Sequence, residues 1–411
     1  MTILDLDIVR AHFPSFANPD TARWAHLENA GGSYCPAQVV DLVTDLFAHA
    51  KCQPQWGFAP SVAATDAMNR SRTVMAELFN CDEHEVHFGP STSQNTYILA
   101  KAMRPLWDEG DEIVVTNQDH EANQGAWRRL ADTGITVKEW QVDPATGLLD
   151  EAALDDLITE RTRLVAVCHA SNIAATINPI RAIADRVHAV GGHIVVDGVS
   201  YAPHGAVDVA ELDCDVYLYS MYKTYGPHVG LMYTRASVLE RMTNQGHYFK
   251  EGHPEGYLTP AGPDHAMIGA AAGVADYYDT VAAAHGIDTP DRFDRAKALF
   301  DLFGAHEETL MAPVLDLLTA KDGVTLVGAP SADHSVRAPT IAFHTSKRSS
   351  GSVYDALIAA HISCGHGNFY AQRLLEALGL DIDDGVVRLS AVHYNTAEEM
   401  ARACQVLDEM L

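Results

Sequence analysis

From Val86 to Tyr233 the chain alternates short apolar runs with stretches of helical period, and few architectures accept that alternation. Val86–Phe88, Glu112–Thr116, Val137–Val142, Leu164–His169, His193–Asp197, Val216–Ser220 and Gly230–Tyr233 read as strands. Ser93–Met103, Ala122–Ala131, Glu151–Ile158 and Ile180–Val190 lie between them and read as helices. Apolar strands separated by helices predict a mostly parallel sheet covered on both faces. No helical stretch divides the last two runs, so one of them is expected to be antiparallel.

After about residue 275 the texture changes. Helical stretches at Asp288–Thr319, Ser352–Ala360, Asn368–Ala377 and Thr396–Leu411 dominate, with strands near Val324–Val327, Thr340–His344 and Val386–Ser390. The expected division is a large α/β domain over 26–275 and a smaller α+β domain over 276–411. Residues 1–25 precede the main alternation and are expected to pack with the smaller domain.

The formal charge of −27 disfavours nucleic acid and anionic membranes, which select basic surfaces. Seven scattered cysteines with no Cys-x-x-Cys pair suggest neither a disulfide framework nor a structural zinc site. Met1–Phe13 has no apolar signal core, and no run approaches 18 apolar residues. A cytoplasmic protein is the expectation.

The run His193–Asp197 ends in a carboxylate, and in open α/β sheets the carboxyl ends of strands face the ligand crevice. Val216–Ser220 delivers Lys223 just beyond its own end. A carboxylate and an amine converging there form the pair that pyridoxal 5'-phosphate needs. The lysine forms an imine, and the acid keeps the pyridine nitrogen protonated. Taken singly, Asp197 is equally a turn cap and Lys223 a solvated lysine.

Ser91, Thr92 and Ser93 open a helical stretch, where free N–H groups suit either a phosphate or plain capping. His120 follows the strand Glu112–Thr116 and is placed to stack on a ring, or merely to start a helix. Asn172 lies past Leu164–His169, as a cofactor contact or a turn residue.

In this order the motifs resemble the class-V aminotransferase family of fold-type I pyridoxal-phosphate enzymes, and among them the cysteine desulfurases. The resemblance rests on Leu27–Gly32, Ser91–Ser93, His120–Asn123, Ser171-Asn172, Val196–Gly198, Ser220–Gly226, Gly367–Gln372, Arg388–Ser390 and His393–Thr396. It implies Lys223 as the Schiff-base lysine, Asp197 under the pyridine nitrogen and His120 on the ring. Ser91, Thr92, Ser93, Ser220 and Tyr222 would serve the phosphate, and Ser200 and Asn172 the cofactor's oxygens. Arg388 would clamp a substrate carboxylate as a planar fork. Asn29, Ala30, Gly31, Asn172 and Tyr370 would line the substrate's place. A homodimer with sites at the subunit interface is also implied.

Four positions depart from the family pattern. Tyr370 stands where desulfurases present a nucleophilic cysteine, and a phenol of pKa about 10 cannot carry a persulfide. Cys364, six residues earlier, is a possible substitute or a buried structural thiol. Ser200 replaces a glutamine and Tyr222 a histidine. Ala261–Asp264 lacks the threonine of the partner-subunit phosphate turn. No metal is expected, because the pairs His84/His87 and His361/His366 lack ligand spacing.

The expected reaction acts on a small amino acid through an external aldimine and Cα deprotonation, with transamination preferred narrowly. The alternatives are β-elimination by a C–S or other β-lyase, epimerisation, desulfuration through Cys364, and a non-catalytic cofactor-binding scaffold.

Overall fold

Seven strands line up as the alternation predicts in the computed structural model, which describes residues 3–411. After β1 (Ala25–His26) come β2 (Val86–Gly89), β3 (Glu112–Thr116), β4 (Thr136–Trp140), β5 (Thr162–Cys168), β6 (His193–Asp197), β7 (Val216–Ser220) and β8 (Gly230–Thr234). The large sheet has the order β2-β8-β7-β6-β5-β3-β4. Neighbours from β7 through β4 are parallel, and β8 is antiparallel to both β7 and β2.

Burial alternates along these strands. Val114, Val165, Val167, Ile194 and Val196 enter one apolar cluster; Ile113, Val115, Leu164, Ala166 and Val195 enter another. Successive side chains point to opposite faces, so both faces of the sheet must be covered. Helices Ala59–Phe79, Ile180–Ala189 and Ala272–Ala284 supply the first cover, and Thr92–Met103 with Gly125–Arg128 the second.

The C-terminal domain adds β9 (Val324–Val327), β10 (Thr340–Thr345), β11 (Ile362–Ser363), β12 (Gly365–Gly367) and β13 (Val386–Ser390). Four of these form an antiparallel sheet, β12-β13-β10-β9, while β11 pairs in parallel with β1. Helix Arg292–Ala320 links the two parts. Leu299 and Phe303 belong to the core under the large sheet, and Leu310, Val314 and Leu318 to the core of the smaller one.

Two expectations need correction. The opening segment does not pack with the smaller part alone: Leu4, Val9 and Phe13 enter the large-sheet core, with Phe13 edge-on to Tyr225 at 6.2 Å. Only Ala25 and Leu27 join the C-terminal core, and Arg10 reaches across to Glu399 at 3.0 Å. The helix expected from Asn368 begins at Gln372, because Phe369 and Tyr370 hold left-handed backbone, with φ of 49° and 58°. Among the described residues no helix is long and apolar enough to cross a membrane.

Candidate active site

β3, β5, β6 and β7 all end at one edge of the sheet, and there the chain encloses a cavity of about 390 Å³. Small-ligand pockets span roughly 300–1,000 Å³. Asp197, the last residue of β6, lies in its lining and accepts the amide of Val199 at 2.9 Å. Burial pushes its carboxyl up, against the pull of that amide and of Lys223. Lys223 reaches the same cavity from the short turn after β7. Burial, with help from Arg388, lowers its amine to about 8, although Asp197 and Glu28 pull the other way.

Ser91, Thr92, Ser93 and Ser220 form one wall. Ser91 caps helix Thr92–Met103 by accepting the amide of Gln94 at 3.2 Å. The Thr92 hydroxyl donates to the carbonyl of Tyr219 at 3.0 Å and meets the Ser220 hydroxyl at 2.6 Å. This turn can lie so close to β8 only because residue 230 is glycine. A Cβ there would stand 2.5 Å from the carbonyl carbon of Ser91 and 2.7 Å from the amide of Thr92.

His120 accepts the amide of Ala122 through Nδ1 at 3.0 Å. Burial and the nearby Lys223 and Arg388 lower its imidazole to about 4, so it is neutral at ordinary pH. Just before it, Asp119 is fully buried between the Thr116 hydroxyl and the Asn123 amide, the latter at 2.7 Å. Burial and the charge of Asp197 raise its carboxyl to about 7.

Asn172, Ser200, Tyr222 and Tyr370 complete the predicted lining. Asn172 donates to the carbonyl of Phe369 at 2.9 Å, while its Oδ1 is buried without a partner. Tyr370 is 74% exposed, with its ring 5.4 Å from that of His120. Arg388 lies behind Asn172 and donates to its carbonyl at 3.2 Å.

Asn29, Ala30 and Gly31 are not in the cavity wall. The Asn29 amide donates to the carbonyls of His26 and Ser390, both at 2.8 Å, and its oxygen accepts the Tyr394 hydroxyl. That side chain is committed to joining the two parts of the chain. Ala261–Asp264 lies instead along an adjoining groove of about 610 Å³, which shares Tyr97 and His228 with the cavity. Cys364 is buried in the C-terminal core, and its thiol is pushed up to about 12.

Sequence reasoning missed three residues here. Cys168, opposite Asp197 in the β5–β6 register, lines the cavity. Asp119 immediately precedes the His120–Asn123 motif, and the sequence gave no sign of its burial. Glu28 pairs with Arg388 across 360 residues, a partnership no local spacing reports.

The aminotransferase class-V family pattern matches residues 25–402. An aminotransferase-like protein, FGM3, of Gibberella zeae is 35% identical, over 99% of this chain and 98% of its own. A cysteine desulfurase-like protein, ustD, of Aspergillus flavus is 32% identical over 100% and 91%. The apo structure of a cysteine desulfurase from Thermococcus onnurineus superposes with a TM-score of 0.83 at 22% identity, covering 98% and 97% of the two chains. The chain therefore belongs to the aminotransferase class-V family, of the cysteine desulfurase-like kind, without the loop cysteine. It is, with that family, a pyridoxal-phosphate-dependent enzyme.

Proposed function

We propose that this chain binds pyridoxal 5'-phosphate through Lys223 and acts on a small amino acid by removing its Cα proton, with transamination as the outcome. The observation that carries this is the meeting of Lys223 and Asp197 in one cavity, beside a helix start lined with hydroxyls. The donor set fits the group: hydroxyls and free amides for phosphate, a carboxylate for a ring nitrogen, a buried amine for an aldehyde. When bound, pyridoxal phosphate supplies an aldehyde that exchanges imines with amines and a ring that accepts electrons.

The remaining roles fall to the chain's own groups. Lys223, with its amine lowered to about 8, is available in neutral form to take the Cα proton. Asp197 holds the proton on the ring nitrogen. Neutral His120 offers a flat face for stacking. Ser91, Thr92, Ser93, Ser220 and Tyr222 anchor the phosphate, with Ser200 and Asn172 toward the ring oxygen. Arg388 orients the substrate carboxylate. Tyr370 overhangs the cavity and is placed to hand a proton to the substrate's outer side.

β-Elimination is the second reading, favoured by Tyr370, an exposed hydroxyl over the cavity and a donor for a departing group. Desulfuration through Cys364 is disfavoured, because a thiol held near 12 supplies almost no thiolate. A homodimer, a cytoplasmic setting and a division at residues 26–275 and 276–411 complete the reading.

The test is an absorption spectrum of the purified protein with pyridoxal 5'-phosphate, followed by an amino-acid panel. Products to measure are keto acid, ammonia, sulfide and the opposite enantiomer. A visible band that Lys223→Ala removes, with keto acid but no free ammonia from one substrate, supports transamination. No spectral response and no product across the panel would leave only a cofactor-binding scaffold.

A further inference from the structure

Arg388 already holds a carboxylate. It sits on β13 opposite Gly365 of β12 and is 3% exposed. Its Nη2 donates to Glu28 Oε1 at 2.7 Å, and its guanidinium lies 3.9 Å from the centre of the Phe369 ring. The Glu28 carboxylate fits because two neighbours lack side chains. A Cβ at Gly31 would stand 2.5 Å from Glu28 Oε1, and one at Gly365 would stand 3.2 Å from Oε2.

The pair is nevertheless half made. Glu28 Oε2, Arg388 Nε and Asn172 Oδ1 are all buried without partners. An arginine and a carboxylate normally meet by two parallel bonds. Here one bond holds them, and the unsatisfied buried atoms weaken the closed arrangement. The backbone beside Glu28 is fixed: Asn29 donates to the carbonyl of Ser390, and the amide of Ala30 to the Ser390 hydroxyl, both at 2.8 Å. Only the side chain is free to leave. Glu28 is 27% exposed where Arg388 is 3%, so Glu28 is the partner with a way out.

We propose that Glu28 is a specificity-determining gate, holding Arg388 in the free enzyme and giving way when a substrate carboxylate takes its place. The inference rests on Arg388 being the carboxylate clamp proposed above. Two anions cannot share one buried guanidinium without repulsion, so entry is an exchange. Such an exchange favours a carboxylate able to bond with both oxygens over the singly bonded Glu28. An amine without a carboxylate leaves the pair closed. A pair closed nine-tenths of the time leaves about a tenth of the molecules competent, and weakens the apparent affinity about tenfold.

The experiment titrates propionate, a carboxylate with no amine, into the cofactor-loaded protein by calorimetry. Glu28→Gln should bind propionate about tenfold more tightly than wild type, and Arg388→Ala should lose binding. Glu28→Ala repeats the test without an amide that could still hold Arg388, and it too should tighten. Equal or weaker binding by both Glu28 variants, with Arg388→Ala still defective, overturns the gate and leaves the clamp intact. Unchanged binding in Arg388→Ala overturns the clamp and the gate with it. The visible band of each loaded protein is read first. A wild type that shows none would overturn the assignment of the cavity itself.

Discussion

The carbonyl of Tyr370 accepts the amide of Glu121 at 2.7 Å, tying the loop that carries Tyr370 to the turn that carries His120. The tie matters because the loop is strained. Phe369 and Tyr370 are consecutive left-handed residues, and each such residue costs on the order of 1–2 kcal/mol. The strain persists because the carbonyls of both residues are held, that of Phe369 by the Asn172 side chain and that of Tyr370 by the Glu121 amide. The result is an exposed phenol kept over the cavity.

Tyr370→Phe keeps the ring and removes the hydroxyl. If that hydroxyl delivers a proton, turnover should fall by about 100-fold, the lower end of what acid–base groups contribute. The fall should appear in kcat more than in KM. Unchanged turnover and unchanged substrate preference would remove Tyr370 from the chemistry.

Cofactor uptake should depend on pH in a particular sense. An amine attacks an aldehyde only when neutral, and Lys223 is lowered from 10.5 to about 8. The rate at which stripped protein gains its visible band should therefore rise up to about pH 8 and then level off. An unshifted lysine would keep rising to about pH 10.5. The same shift affects stability. The unfolded chain holds this proton more tightly, so the stripped protein is penalised below pH 8, and the penalty is relieved as pH rises from about 8 to 10.5.

Much of this was legible beforehand, and the parts that were not have physical causes. The inner strands of the large sheet are apolar on both faces, so each reads as a dense run, with helices between all but β7 and β8, while edge strand β4 carries Lys138 and Glu139 and is legible only from its place in the alternation. β1, β11 and β12 are two or three residues long and exist only because chain segments far apart in sequence meet. Helices Ala37–His49 and Ala59–Phe79 lie outside the alternation and were not read. The second is rich in alanine and serine, and buries Ser61 and Ser71 beside Met68 and Val74, which blurs any apolar stripe. In the site, the residues at strand ends were readable because topology alone puts them at one edge. Glu28 was not, since its meaning depends on Arg388 and on two glycines that make room for it. Asn29 was assigned to the substrate because its motif touches the site, whereas its side chain serves the junction with Ser390 and Tyr394.

Asp197→Asn keeps the shape of the site but removes the charge. Its effect should fall on kcat, by roughly 100-fold or more, as for other groups that stabilise charge developing in a buried site. Cofactor should still bind, though more weakly, and dialysis against buffer would measure the loss. Full turnover in the variant would show that the ring nitrogen needs no acid here.

Gly230→Ala probes the hydroxyl-lined wall without touching a hydroxyl. The new methyl would meet backbone at Ser91 and Thr92, which cannot swing aside as a side chain can. The turn must shift away from Ser220, and the phosphate contacts shift with it. Affinity for pyridoxal 5'-phosphate should fall by about tenfold or more, equal to about 1.4 kcal/mol. Pyridoxal without the phosphate should lose little, so the ratio of the two affinities separates a damaged anchor from a general loss of fold.

Asp215 anchors the entry to the two strands that carry the candidate lysine and aspartate. Its carboxylate accepts the amide of Ile194 at 2.8 Å, meets His188 at 3.0 Å and lies 3.3 Å from Arg235. Against the effect of burial, His188, His193 and the Ile194 amide hold its pKa far below the usual range. A depressed carboxyl stabilises the fold above the unfolded value of 3.8, and that support is lost as pH falls below it. His188 is shifted the other way, raised by the bond to Asp215, so its support is full below 6.5 and fades as pH rises through its folded value. Asp215→Ala should thus lower the melting temperature most near pH 5 to 6, where both contributions are present. Removing one partner of a buried pair costs about 3–5 kcal/mol. A variant that melts like wild type at pH 5 but not at pH 8 would reverse that assignment.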